Sequence, residues 1–139
     1  MQLSRELPDY IYALRSADGH QARVNDRTLA RSFILAPDQL IEDWAVAAAG
    51  QLSVADLAPA LEQNPAVFIL GTGERQVFPP MEVMAACLTR GVGIEVMNNA
   101  SAARTFNVLA GENRRVVAAF ILDARSEEHT SELQSPYVI

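Results

Sequence analysis

Two stretches of this 139-residue chain carry residue types whose spacing suits chemistry. The first is Gly71-Thr72-Gly73, which follows the apolar run Ala66-Val67-Phe68-Ile69-Leu70. Glycines at a strand end let backbone N–H groups approach an anion or a partner's backbone. The triplet is not a dinucleotide fingerprint, because the third glycine is missing and Gly73 opens no helix. Nor is it a P-loop, which needs Gly-Lys-Ser/Thr. A tight strand-to-loop turn is the competing reading. The second stretch runs from Glu95 to Asn107 and reads as strand, polar turn, helix. A helix start near Asn99 presents unpaired N–H groups and positive dipole charge. Arg104 and Asn107, three residues apart with Thr105 between them, share one side of that helix and suit a carboxylate, a phosphate or a protein acid. The competing reading makes Asn99 or Ser101 a helix cap and pairs Arg104 with Glu95 or Glu112.

Other reactive residues point nowhere further. Cys87 lies in an apolar helical stretch with no histidine nearby in sequence and reads as a packed side chain. His20 follows a turn glycine, and Trp44 with Ile41 is either core or a partner anchor. No Ser-His-Asp order, zinc spacing or carboxylate pair is present, and no metal or cofactor is called for. All eleven basic residues are Arg against seventeen acids, a net charge of −6 without a basic block. That excludes phosphate tracking along nucleic acid. One cysteine excludes an intrachain disulfide framework. No apolar run approaches the roughly 20 residues of a membrane span. The expectation is a cytoplasmic domain.

Residues 125–139 are set apart. Arg125 to Ser135 match, codon for codon, the translation of a sequencing adapter, and Pro136 to Ile139 fit its index and the bases beyond it. They are read as a non-native tail, leaving 1–124 as a single globular domain. The tail takes His129 with it, so any histidine chemistry is left to His20.

The elements follow from periodicity. Strands are expected at Tyr10–Leu14, His20–Val24 and Arg31–Ala36, with turns at Asp18-Gly19 and Asn25-Asp26. Gln39 to Gly50 reads equally as helix or as loop with a short strand. Ser53 caps a helix whose Val54, Leu57, Ala58 and Leu61 form one stripe, with Pro59 inside it and Asn64-Pro65 ending it. Ala66–Leu70 is a strand covered on both faces. Pro79-Pro80 opens a helix with Met81, Met84, Ala85 and Leu88 as its inward side, stopped by Gly91. Val92–Met97 is a strand and Ala100–Ala110 a helix burying Ala103, Phe106 and Ala110. Arg115–Leu122 is the last strand. A β-rich first half followed by alternating strands and helices implies an α/β, three-layer domain with a mixed central sheet covered by helices.

Gly71-Thr72-Gly73, Pro79-Pro80, Gly91-Val92-Gly93-Ile94-Glu95, Ala103-Arg104-Thr105-Phe106-Asn107-Val108-Leu109 and Glu112-Asn113-Arg114-Arg115-Val116 together resemble a known family over roughly Tyr10 to Leu122. It is a family of small domains of unknown function that includes a mitochondrial complex I assembly factor and an adipogenesis-associated protein. Phe106 stands where the family often has Tyr, and Asn99 where it often has Thr. The resemblance implies a three-layer α/β fold and no established enzyme activity. Its mitochondrial member helps assemble respiratory complex I, and some bacterial members lie beside genes for the Sec insertion machinery.

Two functions are therefore weighed. The first is a non-catalytic interaction or assembly factor with a protein partner, no nucleic acid, and indirect association with a membrane complex. Its surface would be the crevice of Gly71, Gly73, Arg104 and Asn107. The second is an anionic small-molecule binder or enzyme in the same crevice, with Glu95 as the only plausible base.

Overall fold

The computed structural model describes residues 12–123; Tyr10 and Ile11 of the first expected strand, and the whole 125–139 tail, lie outside them. Strands β1 (Leu14–Ala17), β2 (Ala22–Val24) and β3 (Arg27–Leu29) form an antiparallel meander of their own. The first strand thus starts at Leu14, where the Tyr10–Leu14 expectation ended. It buries Leu14 and Ala17 around a register irregularity between Leu14 and Ser16. β3 was not foreseen. It is only three residues long and follows a two-residue turn in which Asn25 takes a left-handed φ of 53°.

The main sheet has five strands in the order β5-β4-β8-β6-β7. β4 (Phe33–Ala36) runs antiparallel to β5 (Gln39–Ile41) and to β8 (Val116–Phe120). β6 (Val67–Gly71) runs parallel to β8 and to β7 (Gly93–Met97). The sheet is therefore mixed, as its strand–helix alternation implies. The ambiguous Gln39 segment resolves as a short strand, and Trp44 beyond it is core, its indole N–H donating to Asp56 O at 2.9 Å.

Along β6 the side chains alternate between two cores, which is why the run is apolar throughout. Phe68 and Leu70 face a core shared with Trp44, Leu57, Val117 and Ala119. That core is closed by helices α1 (Ala58–Leu61) and α2 (Met81–Thr89). Ile69 faces the other core, with Leu14, Val24, Phe33, Phe120 and Phe106 of helix α3 (Asn99–Gly111). The rings of Phe33 and Phe120 stack there at 5.0 Å between centroids. This layer is helix plus meander, where helices alone were expected. The short β1–β3 strands have one apolar side, and it is spent closing this core.

Two helix expectations need correction. The segment capped by Ser53 begins as a 3₁₀ turn over Val54–Leu57 and becomes α-helical only at Ala58. Ser53 and Asp56 form a reciprocal capping box, and Pro59 falls in the first turn of α1, where its missing N–H costs nothing. Leu57, Ala60 and Leu61 are buried while Val54 is exposed. In α2 the inward residues are Val83 and Cys87, with Met84 packed beside them. Met81 is 81% exposed and Leu88 66%. Of the expected inward stripe, Met81, Ala85 and Leu88 face solvent and Met84 alone packs inward.

Candidate functional site

The carboxyl ends of β6, β7 and β8 gather the glycine turn, the start of α3 and the β1–β2 turn. Gly71 is required by proximity: a Cβ there would run into the side-chain oxygen of Asn99 and crowd the Phe120 ring and Ala102. Gly73 adopts a φ of +103°, which favours glycine. Between them Thr72 is buried, its hydroxyl donating to Arg75 O at 2.5 Å and accepting from Val77 N at 3.0 Å. The N–H of Thr72 donates to Met97 O at 3.0 Å, and that of Gly73 to Asn99 Oδ1 at 3.1 Å. These N–H groups are thus already bonded within the protein.

The helix start is capped by Asn98, whose side chain accepts from Ser101 N at 2.8 Å; neither Asn99 nor Ser101 takes that role. Asn99, fully buried, does something sequence reasoning missed. Its Nδ2 donates to Asp18 O at 2.8 Å and to Ile121 O at 3.0 Å, and its Oδ1 accepts from Gly73 N. One amide thereby ties the β1–β2 turn, the β6 loop and the chain after β8. No local signal names these partners, which stand 81, 26 and 22 residues away.

Further along α3, Asn107 is also occupied. Its Nδ2 donates to Leu14 O at 2.7 Å and its Oδ1 accepts from Leu14 N at 3.1 Å, closing the free edge of β1. Arg104 is exposed and donates to Ser101 Oγ at 3.2 Å. It pairs with neither Glu95 nor Glu112, and it makes no ion pair among the described residues. Thr105 is half-buried, and Glu95 is exposed on β7, an edge strand. The structure therefore brings Gly71, Thr72 and Gly73 together with Asn99. Arg104 stands apart from them on the outer side of α3.

Next to the glycine turn is an open cleft of about 330 Å³, lined among others by His20, Gly73, Glu74, Arg75 and Asp123. Glu74 is fastened across it, its Oε2 accepting from Gly19 N at 2.8 Å. In the adjoining turn the N–H groups of His20 and Gln21 donate to Asp18 and hold its carboxyl below the ordinary value. Cys87 is fully buried and burial pushes its thiol upward, the opposite of what a nucleophile needs. Arg115, of the Arg114-Arg115 pair, bonds Gln63 and Asp38 and fixes the base of β8. No metal-holding cluster occurs among the described residues.

What the surface does offer is apolar area. Beyond the glycine turn Val77 and Phe78 are exposed, Phe78 by 63%, and Met81 and Leu88 follow on α2. The signal was available in Val77-Phe78-Pro79-Pro80-Met81, where apolar residues flank a helix-opening proline pair.

A parallel β6–β7–β8 unit, an antiparallel extension and a meander capped by one helix define a small three-layer α/β domain. The chain belongs to the protein family of unknown function DUF498/DUF598, which it matches over residues 14–121. It is 58% identical to a Xanthomonas campestris protein of known NMR structure, covering 89% of this chain and 94% of that one with a TM-score of 0.77. It is 32% identical over 100 residues to the Danio rerio NADH dehydrogenase [ubiquinone] 1 alpha subcomplex assembly factor 3, covering 70% of this chain and 57% of that protein. It is 36% identical over 61 residues to a 13 kDa major membrane protein of Francisella tularensis, covering 44% of this chain and 50% of that protein. The chain spans about half the length of these two curated relatives. Among the described residues no helix is long and apolar enough to cross a membrane.

Proposed function

We propose that this chain is an assembly-factor-like, protein-binding domain that acts in the cytoplasm on subunits of a membrane-embedded respiratory complex. The observation that carries this is the outward apolar stripe of α2. A helix whose Met81 and Leu88 lie in water, with the exposed Phe78 three residues before it, keeps apolar area for a partner to cover. The occupant is an apolar segment of a subunit before its incorporation; the support is that the zebrafish relative is named an assembly factor of the NADH dehydrogenase 1 alpha subcomplex. Arg104, Thr105 and Glu95 supply polar contacts on the α3 side. Gly71, Thr72, Gly73 and Asn107 hold the β6 loop and α3, the helix that carries Arg104 and Thr105. The rival reading, an anionic small molecule, has the cleft at Gly73 to use. There the carboxylates of Glu74 and Asp123 share the lining with Arg75, so the lining does not select an anion.

The test is binding of the full chain to solubilised respiratory-complex subunits, with a Met81→Glu/Leu88→Glu variant alongside. The proposal expects a complex that the double variant loses while keeping its fold. Undiminished binding by the variant, or a metabolite-induced thermal shift without any subunit binding, overturns it.

A further inference from the structure

Two sheet edges of this fold are treated differently. The outward backbone of β1 is covered at Leu14, where Asn107 takes both the N–H and the C=O. At β7 the pairing with β6 matches Leu70 to Val96 and Gly71 to Met97, and Met97 O accepts from Thr72 N. Backbone groups alternate sides along a strand, so Gly93, Glu95 and Met97 face β6 while Ile94 and Val96 face out. Gln76 confirms this orientation: its Nε2 donates to Val96 O at 2.8 Å from outside the sheet. Among the described residues nothing takes the N–H and C=O of Ile94 or the N–H of Val96. This five-residue edge has no proline, lysine or bulge to blunt it. Val77 and Phe78, both exposed, adjoin Gln76 in the chain.

We propose that the β7 edge receives an extended segment of a partner protein as an added strand, with a basic residue of that segment beside Glu95. Side-chain chemistry selects this occupant over a second copy of the chain. A twofold pairing centred on Glu95 sets two like charges opposite each other. One centred on Ile94 places Val96 against Val92, whose N–H is bonded to Cys87 O while Val96 O is held by Gln76. That register also sets Glu95 opposite Gly93, so the carboxylate gains no opposite charge. A foreign strand meets the same bonded groups at Val92 N–H and Val96 O, but it need not set a second carboxylate opposite Glu95. It bonds Ile94 and Val96 N–H, sets an Arg or Lys against the exposed Glu95, and lays an apolar side chain toward Phe78. Gln76 acts as a latch on the last carbonyl of the edge.

The inference rests on the protein-binding reading but uses a different surface from the α2 stripe. The probe is a capped peptide, Thr-Val-Lys-Val-Thr-Val, with a Lys→Glu version, titrated into ¹⁵N-labelled full-length protein. The amides of Ile94 and Val96 should shift with the lysine peptide. Glu95→Lys should reverse the peptide preference by a few-fold each way. Ile94→Pro should weaken binding several-fold with the β6–β7 ladder intact, since its lost N–H points outward. Gln76→Ala should strengthen it. Shifts confined to other residues, a preference unchanged by Glu95→Lys, or concentration-dependent shifts of Ile94 and Val96 without peptide overturn the strand addition. If the strand addition fails while Met81→Glu/Leu88→Glu still abolishes subunit binding, the edge is wrong and the protein-binding reading stands.

Discussion

Asn99 and Gly73 exchange two hydrogen bonds: the Asn99 backbone N–H donates to Gly73 O at 2.8 Å, and the Gly73 N–H donates to Asn99 Oδ1 at 3.1 Å. This pair welds the start of α3 to the end of β6, where the fold turns its loops toward solvent. The remaining amide protons of Asn99 go to Asp18 and Ile121, so a single buried side chain sets the geometry of three segments.

Asn99→Ala leaves Asp18 O, Ile121 O and Gly73 N without their partner. At roughly 1–3 kcal/mol for each buried group left unbonded, the loss is on the order of 3 kcal/mol. Urea denaturation of the variant against the parent measures it. A loss below about 1 kcal/mol would show that water replaces the amide at low cost.

Two neighbours on α3 should separate cleanly. Asn107→Ala exposes the β1 edge and should cost about 1–2 kcal/mol, with faster hydrogen exchange at the Leu14 amide. Arg104→Ala removes an exposed guanidinium held only to Ser101 and should change stability by less than about 0.5 kcal/mol. Its effect, if Arg104 contacts the partner, is confined to binding.

Acid stability carries a signature of the β1–β2 turn. The folded pKa of Asp18 lies below its unfolded value because two N–H groups bond the ionised carboxylate. Its contribution is thus fully present above the ordinary carboxylate pKa, about 3.9, and fades as pH falls through the lower folded value. Asp18→Asn should flatten the stability–pH curve over that acid range and leave its slope at neutral pH unchanged. The carboxyl is largely exposed, so the difference is small. An unchanged acid limb would remove the turn as its source.

Cys87 should resist alkylation in the folded chain at neutral pH and react at once in denaturant, because burial both shields the thiol and disfavours the thiolate. A mass-shift time course with iodoacetamide checks this. Rapid labelling of the native protein would place α2 differently on the sheet.

Much of the fold can be read from the residues because its signals are local. Val67–Gly71 and Val116–Phe120 are unbroken apolar runs, and only a strand buried on both faces uses such a run fully. β3 and β5 are three residues each, too short for any alternation to register. Helix α2 shows a different failure. Val83 with Cys87, and Met81 with Leu88, are two apolar stripes on one nine-residue helix, and periodicity cannot choose between them. The packing of Val83 and Cys87 against Phe68 and Leu70 makes the choice, and the larger stripe is left outside. The site is legible only in part for a related reason. Arg104 and Glu95 are visible by type, whereas the bonds that occupy Asn99 and Asn107 join residues far apart in the chain.

The outward stripe of α2 is the claim on which the functional account depends, and site-directed photocrosslinking addresses it most directly. Photo-leucine at position 88 of the full chain, irradiated with solubilised respiratory membranes, should form adducts on one respiratory-complex subunit. The same label at Thr28, exposed on β3 of the meander against the other core, should not. Equal labelling from both positions, or none from position 88, would contradict the account.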